Sequence, residues 1–109
     1  MNDIEMVIFG LISSSGTARG LAFEALRKAK EGNFEEASTK LEEAKKHLGD
    51  AHNIQTELIQ NEASDNKTEL SLLLVHAQDH LMTSMLAKDL ISQMIPMEER
   101  LSELEKKNN

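Results

Sequence analysis

Two histidines and an aspartate, His76, Asp79 and His80, follow four consecutive apolar residues in the stretch LLLVHAQDH, residues 72 to 80. On a helix, positions i, i+3 and i+4 share one face, so the three titratable groups are neighbours. Such a cluster supports three kinds of chemistry. The groups can be hydrogen-bonded members of a packed seam, with Asp79 setting register as a single buried polar residue does in coiled coils. They can ligate a metal, although the glutamate of H-E-x-x-H is missing and no third ligand stands nearby. They can act as nucleophiles, because a neutral imidazole attacks phosphorus near physiological pH.

The chain supplies no phosphoryl donor of its own. It has no G-x-x-x-x-G-K-[ST] and no glycine-rich loop between a strand and a helix, so no nucleotide site is expected. A phosphoryl group reaching His76 would come from another phosphoprotein. Cysteine is absent, which excludes disulfides and thiolate chemistry and leaves any cysteine step to a partner. Net charge is −7, from 19 acidic and 12 basic residues with no basic block, which argues against nucleic acid as a partner. His47 and His52, five apart, do not lie side by side and read as surface residues.

The elements that must position the cluster are helices. Apolar or small residues recur at Ile4, Ile8, Leu11, Ser15, Ala18, Ala22, Ala25 and Ala29, which predicts a first helix over about 3–30, stopped by Gly32. Phe34, Ala37, Leu41, Ala44, Leu48, Ala51, Gln55 and Leu58 predict a second over 34–62, with Asn33 and Glu36 placed as a capping box. After the polar break NEASDNKTE, Asp65 or Asn66 would cap a third helix over 66–95. Pro96 then fits the first turn of a short helix over 97–105, or a kink, and 106–109 fray. The stripe of the third helix, stepped from Leu72, passes through His76, Asp79, Thr83, Leu86 and Leu90.

This reads as one all-α domain over residues 1–105: three long antiparallel helices. Helices of about 28 residues are about 42 Å long, so three of them make a slender rod with little internal core. Leu72 to Val75 leave no polar face, and two neighbours in the same chain cannot cover such a helix. A symmetric homo-oligomer with the third helix at its centre is therefore expected. No run reaches about 18 consecutive apolar residues, and Asp3 and Glu5 stand where a signal peptide carries positive charge. The expectation is a cytoplasmic protein without membrane insertion.

Residues 72 to 91, LLLVHAQDHLMTSMLAKDLI, resemble the signature of the lactose/cellobiose-type enzyme IIA of the bacterial phosphoenolpyruvate-dependent sugar phosphotransferase system. GTARGLAFEALRKAKEGNFEEA, from Gly16 to Ala37, is similar to the family's small-residue segment and helical turn, so the resemblance covers nearly the whole chain. It implies a cytoplasmic phosphocarrier built as a trimeric helical bundle. The first histidine of V-H-A-Q-D-H falls on His76, implied to accept a phosphoryl group on Nε2 from the histidine phosphocarrier protein and to pass it to a cysteine of the IIB component. The motif's aspartate falls on Asp79, implied to lie on the trimer axis, where three copies hold a divalent cation, Mg²⁺ by resemblance. Gln78 and His80 match the motif as supporting residues; His80 either donates to the phosphoryl oxygens or simply packs.

SSSG, residues 13 to 16, departs from the family pattern; close helix packing accounts for Ser13, Ser14 and Ser15 better than a hydroxyl or an ordered water meeting the phosphohistidine does. The alternative to a carrier is a trimeric helical scaffold or adaptor that uses Asp79 and the histidines for assembly and metal binding. The sugar, among lactose, cellobiose and chitobiose, is not written in the chain.

Overall fold

A computed structural model describes residues 3–108. The chain forms three helices, α1 (Asp3–Lys30), α2 (Phe34–Ala63) and α3 (Leu72–Lys107), arranged up, down and up in a rod of 63 × 25 × 20 Å. Helix α1 packs against both of the others, whereas α2 and α3 touch less.

The stripe expected for α1 is the one it buries: Ile8, Leu11, Ser15, Ala18, Ala22, Ala25 and Ala29. Helix α2 buries Ala37, Ala44, Leu48, Ala51 and Gln55, again the expected face. Alanine dominates both because small side chains let the helix backbones approach, and helix formers need no turn chemistry to stay helical. By length and composition α1 would pass for a membrane span. Its stripe is packed on α2 and α3, however, and the core helix of a bundle meets the same test.

Both interhelical breaks are built the same way. Gly32, at φ +83°, takes the left-handed conformation; its N–H donates to the Ala29 carbonyl and that of Asn33 to the Lys28 carbonyl, the paired bonds of a Schellman stop. The expected capping box does not form at the start of α2. The Asn33 side chain makes no capping bond, and the Glu36 carboxylate pairs with Lys28 Nζ at 3.3 Å across the turn.

At the end of α2 the same motif recurs on Asp65, at φ +67°: its N–H donates to the Glu62 carbonyl and the Asn66 N–H to the Asn61 carbonyl. Asp65 and Asn66 therefore close the second helix and do not cap the third, which corrects the expected start at 66. Aspartate tolerates this conformation better than most residues. Helix α3 begins six residues later than expected, where extended Ser71 (φ −137°, ψ 161°) accepts the Leu74 N–H on its side-chain oxygen at 3.1 Å.

Nor does Pro96 break α3, which runs through it to Lys107. Proline removes one backbone donor. Ile91 and Ile95 are buried in the bundle just before it, and the helix continues past it as one element with Leu101 half exposed. The separate short helix at 97–105 is replaced by an overhang of α3.

Helix α3 buries Leu74, Ala77, Leu81, Ser84, Ile91 and Ile95 inside the chain. The expected stripe through Asp79, Thr83, Leu86 and Leu90 is a different face, and it is exposed. Leu72, Val75, Met82, Leu86, Leu90 and Met97 line it with no covering element among the described residues.

Candidate histidine site on the third helix

With about 100° of rotation per residue, Leu81 and Asp79 stand on opposite sides of α3. Leu81 is fully buried against the bundle; Asp79 is exposed in the middle of the apolar seam, between Val75 and Met82 on one side and Leu86 ahead of it. The other members of the motif flank that seam. His76 and His80 occupy the flank toward α1, where an added Cβ on Gly16 would stand 3.3 Å from His80 Nε2. Gln78 occupies the flank toward α2, accepting a hydrogen bond from Gln55 Nε2.

The His76 imidazole is exposed, and His80 is half-buried. Their rings lie parallel, with centroids 5.9 Å apart and planes 9° from one another, the separation expected for one helical turn. Neither ring has a hydrogen-bond partner among the described residues. Of the four groups singled out by the motif, the structure thus brings two together and separates the rest. Gln78 belongs to a different surface from His76, and its amide is tied up with α2.

Gln55 had been assigned only to the core stripe of α2. It is 92% buried by residue, and its amide nitrogen also approaches Met82 Sδ at 3.5 Å, so it fixes the α2 flank of the motif. A lone glutamine at a position otherwise held by Ala and Leu was the available signal. Thr83, one turn beyond Asp79, spends its hydroxyl on the Asp79 and His80 carbonyls at 2.9 and 3.2 Å.

Ser15 is completely buried in the α1 stripe, while Ser13 is exposed and Ser14 half-buried. The Oγ atoms of Ser15 and Ser84 have no partner among the described residues. Met85 packs against the core, whereas Met82 is half exposed. A groove of about 530 Å³, lined by Leu58, Ile59, Leu70, Val75, Asp79 and Met82 among others, runs along the α2 side of the seam, away from His76.

Among the described residues of one chain, no three His, Asp or Glu side chains are arranged to hold a metal ion. The zinc arrangement considered for His76 and His80 has no third ligand here. A hard divalent cation needs several oxygen ligands, and Asp79 alone provides one carboxylate per chain.

The exposed His76 thus stands on a three-helix rod, preceded by Val75 and followed by the A-Q-D-H of the motif. The sequence model of the phosphotransferase system lactose/cellobiose-specific IIA subunit matches residues 6–99. The chain belongs to this family.

Its relatives carry the same label. The chain is 48% identical over 99 residues to the N,N'-diacetylchitobiose-specific EIIA component of Escherichia coli strain K12, covering 91% of this chain and 85% of that protein. The crystal structure of the cellobiose-specific enzyme IIA from Bacillus anthracis superposes with a TM-score of 0.90 at 46% identity, over 94% of each chain. The IIA(chitobiose) of Escherichia coli, solved in solution in complex with HPr, superposes with a TM-score of 0.80 at 46% identity, over 94% of this chain and 99% of that one. This IIA chain is thus a component of the phosphotransferase system, with the family's three-helix fold.

Proposed function

We propose that this IIA protein is a cytoplasmic phosphocarrier that takes a phosphoryl group on His76 Nε2 from the phosphorylated histidine phosphocarrier protein and delivers it to a cysteine of a IIB component. The observation that carries the reading is the open His76 ring: it grows from the helix that also supplies the bundle's core, yet nothing among the described residues walls it in. Transfer between proteins requires access and alignment more than covalent assistance, since the phosphoryl group passes through a loose, in-line transition state.

In the first step the Nε2 lone pair of neutral His76 forms the new P–N bond as the donor's P–N bond breaks. The donor imidazole leaves with that bond's electron pair and gains a proton, while His76 gives one up. In the second, a thiolate of IIB forms an S–P bond, the N–P bond to His76 breaks, and the imidazole recovers its proton. The HPr complex of the Escherichia coli relative supports the choice of donor. The sugar is of the lactose, cellobiose or chitobiose class, by the naming of the family and the relatives.

The working form is a homotrimer with the exposed seam of α3 at its centre. Six large apolar side chains along one solvent-facing stripe are more than an isolated helical rod ordinarily leaves open. On such an axis three Asp79 carboxylates would converge. At an effective dielectric near 20, unit charges about 4 Å apart repel by roughly 4 kcal/mol per pair, so the three together would hold a divalent cation, Mg²⁺ by family resemblance. The cation would neutralise the axis; the transfer chemistry stays with His76.

The test is to incubate the protein with a phosphorylated histidine phosphocarrier protein and follow its mass. One acid-labile phosphate per chain, absent from His76→Ala, is the expected result. A protein that stays unlabelled where a known IIA component is charged would leave only the scaffold reading.

A further inference from the structure

Helix α1 carries three interior glycines, Gly10, Gly16 and Gly20, none of them in a left-handed conformation that would require glycine. Glycine is disfavoured in a helix interior relative to alanine. At Gly10 and Gly20 an added Cβ would meet nothing within 4 Å. At Gly16 it would stand 3.3 Å from Nε2 of His80, closer than side-chain carbons ordinarily approach a neighbour, so the ring would have to yield by a few tenths of an ångström.

His80 has no hydrogen bond to fix its ring. Its position is set by what it packs between: the bare backbone of α1 at Gly16 on one side and the parallel ring of His76 on the other. In the isolated chain His76 is exposed, and the parallel His80 ring, 5.9 Å away between centroids, is the ring set beside it and bounds how it turns about its side-chain bonds. Displacing one ring moves the surface on which the other rests.

We infer that Gly16 is a positioning residue for phosphoryl transfer: by leaving no side chain, it seats His80 against α1 and so holds the His76 ring in the orientation that presents Nε2 to incoming proteins. This rests on His76 being the acceptor. Gly16 touches no reacting atom, and its effect passes through His80. Near-attack geometry is sensitive on this scale: misplacement by about 1 Å can cost about a hundredfold in rate.

The experiment compares Gly16→Ala, Gly20→Ala, His80→Ala and the Gly16→Ala/His80→Ala double variant. Two quantities are read: the ¹H and ¹³C signals of the His76 ring in the unphosphorylated protein, and the single-turnover rate and half-saturating concentration for transfer from the phosphorylated histidine phosphocarrier protein. Gly16→Ala should move the His76 ring signals and slow transfer roughly 3- to 10-fold at an unchanged half-saturating concentration, in keeping with a shift of a few tenths of an ångström. Gly20→Ala, with the same gain in helix propensity, should do neither. In the His80→Ala background, Gly16→Ala should have no further effect.

The inference is overturned if Gly16→Ala behaves like Gly20→Ala, or if it slows transfer equally when His80 is gone. Failure of the parent reading looks different: wild-type protein that stays unlabelled, or a His76→Ala variant that still labels, would contradict the acceptor assignment, while the ring signals report on the Gly16–His80–His76 stack regardless of labelling.

Discussion

Leu86 is 58% exposed in the isolated chain, and Phe23, on the outer face of α1, is 53% exposed. For a monomer the two positions are equivalent: a little under half of each residue is covered, so at about 1.5–3 kcal/mol for a fully buried side chain, replacing either by serine should cost a similar amount, about 0.6–1.4 kcal/mol. The seam reading separates them. Fully burying a leucine side chain contributes about 1.5–3 kcal/mol, so covering the exposed 58% of Leu86 contributes about 0.9–1.7 kcal/mol per chain. Summed over three chains this is about 3–5 kcal/mol, or roughly two to four powers of ten in the association constant, at 1.4 kcal/mol per factor of ten.

Leu86→Ser should therefore move the concentration at which the trimer dissociates, read by sedimentation or light scattering over a dilution series, while Phe23→Ser leaves it near the wild-type value. A concentration-dependent melting temperature should shift in parallel, because association and stability are linked by mass action. If wild-type protein is monomeric throughout the series, or Leu86→Ser assembles as tightly as Phe23→Ser, the assignment of the exposed α3 face to an interchain core is refuted.

Two further outcomes follow from the geometry. Asp79→Leu should give a trimer indifferent to chelator, whereas chelator should loosen the wild-type assembly by unmasking repulsion among three carboxylates; equal responses of the two proteins would count against an axial Asp79. Ser71→Ala removes the side-chain oxygen that accepts the Leu74 N–H and should cost about 1 kcal/mol, seen as faster amide exchange at Leu74 with little change near Ile91; unchanged exchange at Leu74 would mean that packing alone fixes the start of α3.

The buried stripes of α1 and α2 could be read from spacing because their small and apolar residues recur at steps of three and four, although α1 also carries Met6, Phe9 and Phe23 outside its stripe. Ser15 and Gln55 fell into those stripes on position alone, despite being polar. Gly32 was equally legible, since the left-handed turn needs what glycine offers. The same reasoning misplaced Asp65, because aspartate both caps helix starts and tolerates the left-handed stop; only the bonds from Asp65 and Asn66 back to Glu62 and Asn61 decide which it does. Pro96 misled for a related reason: the local cost of a lost hydrogen bond was visible, while the burial of Ile91 and Ile95 just before it was not.

For α3 the limits are deeper. Apolar residues surround its first turns, so periodicity cannot say which face the chain's own helices cover and which is left outside. The types and order of the residues determined that a histidine cluster sits on a helical phosphotransferase-family rod, for helical spacing and motif identity are local properties of the chain. Which way each member faces is not local. Tertiary packing set Asp79 in the middle of the open seam, turned His76 and His80 toward α1 at Gly16, and bound Gln78 to Gln55 on the far flank, because orientation about a helix axis is fixed only by the neighbours that press against it.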